Sequence, residues 1–162
     1  MTPLRGWGTT ISSPPLSGAP AASPAEIRTS DIILTCTTSR TPILHASDVK
    51  PGAFIAAVGA DNPAKSEIDP ELMAASAVVT DITEQSATIG DLHHAIAAGL
   101  VTRDHVRAEL GQVVAGAKRG RIFDDEIIIF DSTGAGFQDT AAAAIVYERA
   151  RQRGIGTEAR FA

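Results

Sequence analysis

Cysteine is nearly absent. Cys36 is the only one in 162 residues, which excludes an intrachain disulfide and makes a reducing compartment the expectation. An excess of positive charge is missing too. Fourteen lysines and arginines face nineteen aspartates and glutamates, leaving a net charge of −5. That balance excludes the clustered basic surface a nucleic-acid or anionic-membrane partner needs. No apolar run approaches the roughly 20 residues that span a bilayer. The amino-terminal stretch also lacks the unbroken apolar core of a secretory leader, because serine and proline interrupt it. These absences give an expectation of a soluble, cytoplasmic chain without nucleic-acid or membrane partners.

What is present is an ordinary globular mixture, 44% apolar and 20% charged, sufficient for one domain with a tail and too short for two. Residues 1–26 stand apart. They hold five of the nine prolines, three glycines and four serines, with Arg5 and Glu26 as their only charges. Pro14, Pro15, Pro20 and Pro24 rule out a continuous helix there, and 1–26 reads as a flexible, disordered tail. Trp7 is its one anomaly, either a buried anchor or an exposed ring.

From Ser30 onward, strand-like apolar runs alternate with helical patterns, the signature of an α/β domain with a mostly parallel sheet. The runs are 31–37, 54–58, 77–80 and 127–130. The first is continuous rather than alternating, as for a strand covered on both faces. Asp69 and Pro70 predict a helix start. Helices are expected to dominate 82–114, punctuated at Gly90, Gly99 and Gly116, with Thr102 as a cap. A final helix spans 135–153 and ends at Gly154. Its stripe of Phe137, Ala141, Ala144, Ile145 and Glu148 reads as a packing face.

Ligands in an open α/β sheet bind beyond the carboxyl ends of the strands. Those positions carry Thr37, Thr38 and Ser39, then Gly59, Ala60, Asp61 and Asn62, then Asp81, and finally Asp131, Ser132, Thr133 and Gly134. The same residue types also make turns for purely conformational reasons, so a ligand rim and ordinary turns both fit. Asp61 is the sharpest candidate. Gly59 permits an unusual backbone angle before it, Pro63 stiffens the turn, and Lys65 can curl to the same side. A carboxylate held beside apolar ligand surface has its pKa raised and can act as a general acid or base; the competing role is a turn or cap.

Gly134-Ala135-Gly136 opens like a dinucleotide fingerprint, but Asp139 stands where the third glycine belongs and no strand follows, so it is not read as a pyrophosphate loop. His93, His94 and His105 have no partners at metal-site spacing and read as surface or packing residues, so no metal is expected. Cys36 reads as a buried apolar filler. Asp124, Asp125 and Glu126 read as a solvated turn, paired with Lys118, Arg119 and Arg121.

Several separate segments together resemble the ornithine cyclodeaminase/mu-crystallin family: DIILTCTTS from Asp31 to Ser39, Lys50-Pro51-Gly52, AVGADNPAKSE from Ala57 to Glu67, ELGQVVAG from Glu109 to Gly116, Asp124-Asp125-Glu126, and FDSTG from Phe130 to Gly134. The resemblance covers roughly 24–152. It implies a partial Rossmann-type domain: 27–134 as the second part of an NAD(P)-binding unit, 135–162 as a carboxyl-terminal packing helix and tail. It implies an NAD or NADP cofactor, a small amino or imino acid substrate, and a homodimer for full-length members. The implied activities are ornithine cyclodeamination, alanine dehydrogenation and cyclic-imine reduction. Carried over by motif, Asp61 matches the catalytic aspartate. Thr37 and Lys65 match nucleotide contacts, Val58, Gly59, Ala60 and Asp61 match the nicotinamide side, Ser132 matches a serine near the nicotinamide, and Asp61 and Thr133 match substrate contacts. Family members are about twice this length. The resemblance therefore implies a chain truncated at its amino-terminal side, without the glycine-rich phosphate turn and the basic residues that hold substrate. A second reading is an inactive remnant with a protein-interaction role.

Overall fold

In a computed structural model, which describes residues 23–157 and 159, the chain opens with helix α1 (Pro24–Thr29). Ser23 caps it reciprocally with Glu26. Helical structure thus begins inside the stretch read as tail; Trp7 and the rest of 1–22 lie outside the described residues. There follow β1 (Ile32–Thr35), β2 (Arg40–Leu44), β3 (Phe54–Ala57) and β4 (Ser66–Ile68). Next come α2 (Pro70–Ala75), β5 (Ala77–Thr80), α3 (Thr83–Ile89), α4 (Asp91–Ala97), β6 (Val106–Glu109), α5 (Leu110–Val114), β7 (Ile128–Asp131) and α6 (Gly136–Arg153).

Five strands form one sheet in the order β1-β3-β7-β5-β6, and every pairing is parallel. β2 and β4 pair separately, also in parallel. The apolar runs at β1, β3, β5 and β7 become strands as their composition dictates. Asp69 accepts a hydrogen bond from the Glu71 amide at 2.8 Å and caps α2, with Pro70 in its first turn. Gly154 ends α6 in the left-handed conformation at φ 60°.

The helix-dominated reading of 82–114 needs correcting at β6. This four-residue strand carries Arg107 and Glu109 and sits at the sheet edge, so it has little apolar signal to read. β2 and β4 were also absent from the sequence reading; they are short, polar, and interrupted at Pro42 in one case.

One face of the sheet is covered throughout, while the other is bare at β1 and screened further across, where Val79 and Ile128 are buried. Ile33, Ile55, Ile129 and Val78 lie in register across β1, β3, β7 and β5. All four are buried against Leu72 and Met73 of α2, Ala87 of α3, and Leu92 and Ala95 of α4. The next row, Leu34, Ala56, Phe130 and Val79, points the other way. There Ile32 is 60% exposed and Leu34 68%. The expectation that β1 is covered on both faces is therefore overturned: it is an edge strand with one bare side. Cys36, expected in the core, lies beyond the last residue of that strand and is exposed. The packing role read for α6 is not realised within the described residues, since none of its side chains is buried. No helix among the described residues is long and apolar enough to cross a membrane.

The segment between α5 and β7 is pinned by arginines. Arg107 makes a two-pronged pair with Glu126 at 2.8 and 2.6 Å. Arg121 donates to the carbonyls of Glu126, Asp124, Gly52 and Ala53. Glu126 is therefore a fixed partner of β6, not a solvated turn residue paired with its basic neighbours.

The one-sided core has a direct test. Ile129→Ala is expected to cost about 2–5 kcal/mol in chemical denaturation, whereas Leu34→Ala, on the bare face, is expected to cost under about 1 kcal/mol. Equal costs would mean that both faces are packed.

Candidate functional site

The candidate residues fall on the carboxyl edge of three adjacent strands, β1, β3 and β7, whose last residues Thr35, Ala57 and Asp131 stand side by side in register. The Val58 amide donates to the Thr35 carbonyl at 3.0 Å, and the Ser132 amide donates to the Ala57 carbonyl at 2.9 Å. The ladders thus continue one residue past the strand ends, and three loops leave the same edge together.

A fully buried carboxylate, Glu67 of β4, joins the first two loops. It accepts from the Thr35 hydroxyl at 2.7 Å, the Thr37 amide at 2.5 Å and the Gly59 amide at 2.9 Å. Gly59 is required here by space rather than by angle. Its φ is not positive, but a Cβ at this position would overlap the Glu67 carboxylate. This replaces the expected conformational role of Gly59 with a steric one.

The network runs on through α4. Asp91 Oδ1 accepts from the amides of Glu67 and Ile68 at 2.7 and 3.0 Å, and its other oxygen is buried without a partner. Asp131 at the end of β7 accepts from the amides of Asp91 and Leu92, at 3.2 and 2.9 Å, where α4 begins. A Cβ at Gly90 would overlap the Asp131 carboxylate. Asp81, just after β5, accepts from the amides of Thr133, Gly134 and Ile82 at 2.9, 2.8 and 2.7 Å. It also accepts from the Ser132 and Thr133 hydroxyls, both at 3.2 Å. Two of the acidic groups read as rim residues, Asp81 and Asp131, therefore turn inward and hold the loops in place.

Ser132 and Thr133 are nearly buried, and their hydroxyls are engaged by Asp81. Gln85 reaches Thr133 Oγ1 and the Gly134 carbonyl at 2.9 and 2.6 Å. Gly134 itself adopts φ 81°, a left-handed angle that favours glycine. Thr37 lies exposed, its hydroxyl accepting from the Ser39 amide at 3.1 Å.

Asp61 stands on the loop after β3, exposed, with Lys65 Nζ 2.7 Å from Oδ1. Asn62 closes the turn by accepting from the Ala64 amide at 3.0 Å and donating to Asp61 at 3.1 Å. His94 of α4 bonds the Lys65 carbonyl at 2.6 Å, tying this loop to the body. His105 likewise meets the carbonyls of Met73 and Ser76. The expected rise of the Asp61 pKa is not what the structure has: the Lys65 ammonium beside it holds the carboxyl below its ordinary range, because the group is paired and open to water.

Burial acts the other way on the internal acids. It raises the Asp91 carboxyl to about 6 and the Asp131 carboxyl to about 8, with neighbouring carboxylates adding to the rise and backbone amides opposing it. Sequence reading did not assign Glu67 or Asp91 a part in the site. The available signal was a charged residue between Ser66 and Ile68 where a strand follows a glycine turn, and an aspartate directly after Gly90.

These findings set a pH dependence. A carboxyl whose folded-state pKa is raised contributes stability below its unfolded value and loses it as pH climbs through the folded value, here about 6 for Asp91 and about 8 for Asp131. Glu126, pulled down to about 2 chiefly by Arg107, contributes above its unfolded value and loses that as pH falls. The urea midpoint is expected to be higher at pH 5.5 than at pH 8.5, as Asp131 ionises through its folded value; a midpoint rising steadily to pH 8.5 would contradict it. A second measurement concerns the crowding at Gly59. Gly59→Ala is expected to destabilise strongly in the native background and by much less once Glu67→Ala removes the carboxylate, with non-additivity of about 1 kcal/mol or more in a double-mutant cycle.

The model of the ornithine cyclodeaminase/mu-crystallin family matches residues 19–154. The chain is 47% identical over 128 residues to the iminosuccinate reductase of Paracoccus denitrificans, covering 79% of this chain and 39% of that protein. It is 41% identical over 131 residues to the alanine dehydrogenase of Archaeoglobus fulgidus, covering 81% and 41%. An archaeal alanine dehydrogenase dimer with bound NAD superposes with a TM-score of 0.80 at 39% identity, over 88% of this chain and 44% of that one. The chain thus spans about two fifths of the length of the curated relatives it matches.

Proposed function

From the premise that the chain belongs to the ornithine cyclodeaminase/mu-crystallin family, we propose that its carboxyl edge is the nicotinamide-side half of an NAD(P)-dependent site for a small amino or imino acid, working in the cytoplasm. The observation that carries this reading is the Asp61–Lys65 pair, fixed on a turn beside the loops of β1 and β7. In this reading Thr37, Val58, Gly59, Ala60, Asp61, Lys65 and Ser132 face the cofactor, and Asp61 and Thr133 face the substrate.

The residues present suit one end of the dinucleotide better than the other. Val58, Gly59 and Ala60 are small or compact, so no bulky side chain blocks a flat ring at the edge of β3, though Gly59 and Ala60 are themselves buried. The pyrophosphate end has no comparable support: the loop after β1 is Cys36-Thr37-Thr38-Ser39, and its Thr37 amide is already given to Glu67. A nicotinamide held there would supply or take up the hydride of the substrate's α-carbon.

The chain's own part is proton handling. Lys65 keeps Asp61 ionised, so its carboxylate can accept a proton from the substrate ammonium or from an attacking water or side-chain amine. The same group returns a proton in the reducing direction. Asn62 and His94 hold the turn so that the carboxylate stays at the edge. Asp81 fixes Ser132 and Thr133, so the substrate-side loop has one conformation.

Two outcomes test this reading. The chain alone is expected to bind NADH or NADPH weakly or not at all in a nicotinamide-fluorescence titration, because the phosphate cradle is not among its residues; micromolar affinity would contradict that. In a form completed with a family amino-terminal portion, Asp61→Asn is expected to lower kcat by about 10²–10⁴ with cofactor Kd nearly unchanged. Retained turnover would remove Asp61 from its role.

A further inference from the structure

The loop from Gly59 to Glu67 carries both members of the Asp61–Lys65 pair, and the side chain of Glu67 folds back to accept from the Gly59 amide at the loop's start. The same carboxylate reaches the end of β1, where the Thr35 hydroxyl and the Thr37 amide donate to it. The two amides meet different oxygens, Thr37 at Oε1 and Gly59 at Oε2. Only a side chain with two acceptor oxygens can hold both, which a carboxylate is and a carboxamide is not. Glu67 is entirely buried, and its desolvation is a cost that an apolar side chain at this place would avoid. The returning limb of the loop is gripped separately by α4. His94 bonds the Lys65 carbonyl, and Asp91 accepts from the amides of Glu67 and Ile68. The Ser66 amide adds a bond to the Ser39 carbonyl at 2.9 Å. Glu67 is thus anchored through its main chain and holds the opposite limb with its side chain.

We propose that Glu67 is a positioning residue for the candidate site: its carboxylate clamps the Gly59 limb of the loop to the anchored Lys65 limb, and this closure sets the Asp61–Lys65 pair. Its bearing on chemistry rests on the reading of Asp61 as the proton-handling group. Among the described residues, the Asp61 side chain bonds only to the side chains of Lys65 and Asn62, both within the same loop. Its place therefore depends on where the two limbs stand. Lys65 is the more sheltered partner, its side chain 21% exposed against 56% for Asp61. A Gly59 limb that drifts carries Asp61 away from a lysine that stays. Glu67 also carries charge, and charge and place act in opposite directions. Removing a negative neighbour makes Asp61 easier to ionise, whereas releasing the limb weakens the Lys65 contact and makes it harder.

The test uses the full chain without ligand, isotope-labelled for NMR, in native, Glu67→Gln and Thr35→Val forms. In the native chain the Gly59 and Thr37 amides are expected to be protected from hydrogen exchange although both lie outside the strands. In Glu67→Gln, exchange at Gly59 is expected to quicken about tenfold or more, and the titration midpoint of the Asp61 carboxyl to rise toward the ordinary aspartate value. Protection at Ile129 and the midpoint of Glu126, remote from the loop, are expected to stay as in the native chain and report an intact fold. Thr35→Val keeps the shape of the side chain and removes one donor to the carboxylate. A smaller rise of the Asp61 midpoint is expected there, and this variant decides the matter if Glu67→Gln does not fold. An Asp61 midpoint that is unchanged or lowered in the deciding variant would overturn the proposal, a lowered one marking Glu67 as a charged neighbour only. Unprotected Gly59 and Thr37 amides in the native chain would overturn it as well. No cofactor or substrate enters these measurements. A failed clamp therefore leaves the role of Asp61 to turnover, and retained turnover in Asp61→Asn leaves the clamp standing.

Discussion

Four acidic side chains are buried at one edge of this sheet, and none of them has a cation as its partner among the contacts that hold it. Taking a carboxylate out of water is costly unless donors replace the lost hydration, and here the donors are almost all backbone amides and hydroxyls of neighbouring strand ends. Glu67 gathers the ends of β1 and β3, Asp81 gathers the loop after β7, and Asp131 receives the start of α4. Every loop of the candidate site is therefore tied to an acid inside the body. The geometry offered to a ligand is a by-product of satisfying those acids. One oxygen of Asp91 departs from the pattern by having no donor at all.

This arrangement accounts for two glycines that would otherwise look like generic turn residues. Gly59 and Gly90 both have ordinary negative φ, and both are excluded from carrying a side chain by a carboxylate, of Glu67 and Asp131 respectively. The contrast with Gly134 is useful. There the space is open and the backbone angle alone makes glycine the suitable residue. The reactive-looking acid, Asp61, belongs to a different class from the internal ones: exposed, paired with a lysine, and held in its charged form.

Much of this was legible in the amino-acid order. The four apolar runs became β1, β3, β5 and β7, four of the five strands of the sheet, Asp69 with Pro70 opened a helix, and Gly154 closed one. The gathering of Thr37, Asp61 and Ser132 loops on one edge followed from alternation of strand and helix. What escaped reading depended on contacts between distant positions. β6 is an edge strand with two charged residues, and its Arg107 makes sense only once Glu126 is opposite. Glu67 looks like a solvent residue until Thr35, Thr37 and Gly59 converge on it. The bare side of β1, the exposure of Cys36 and the isolation of α6 depend on which bodies lie nearby, and local periodicity carries no information about that.

α6 has a mechanical side. Its eighteen residues form one uninterrupted rod, about 27 Å long at 1.5 Å per residue, and it leaves the sheet only a few residues past β7. Attached at the site's own rim through Gly134, it works as an outrigger: whatever grips its far end gains leverage on the Ser132–Thr133 loop. Torque applied there is resisted chiefly by the bonds to Asp81 and Gln85.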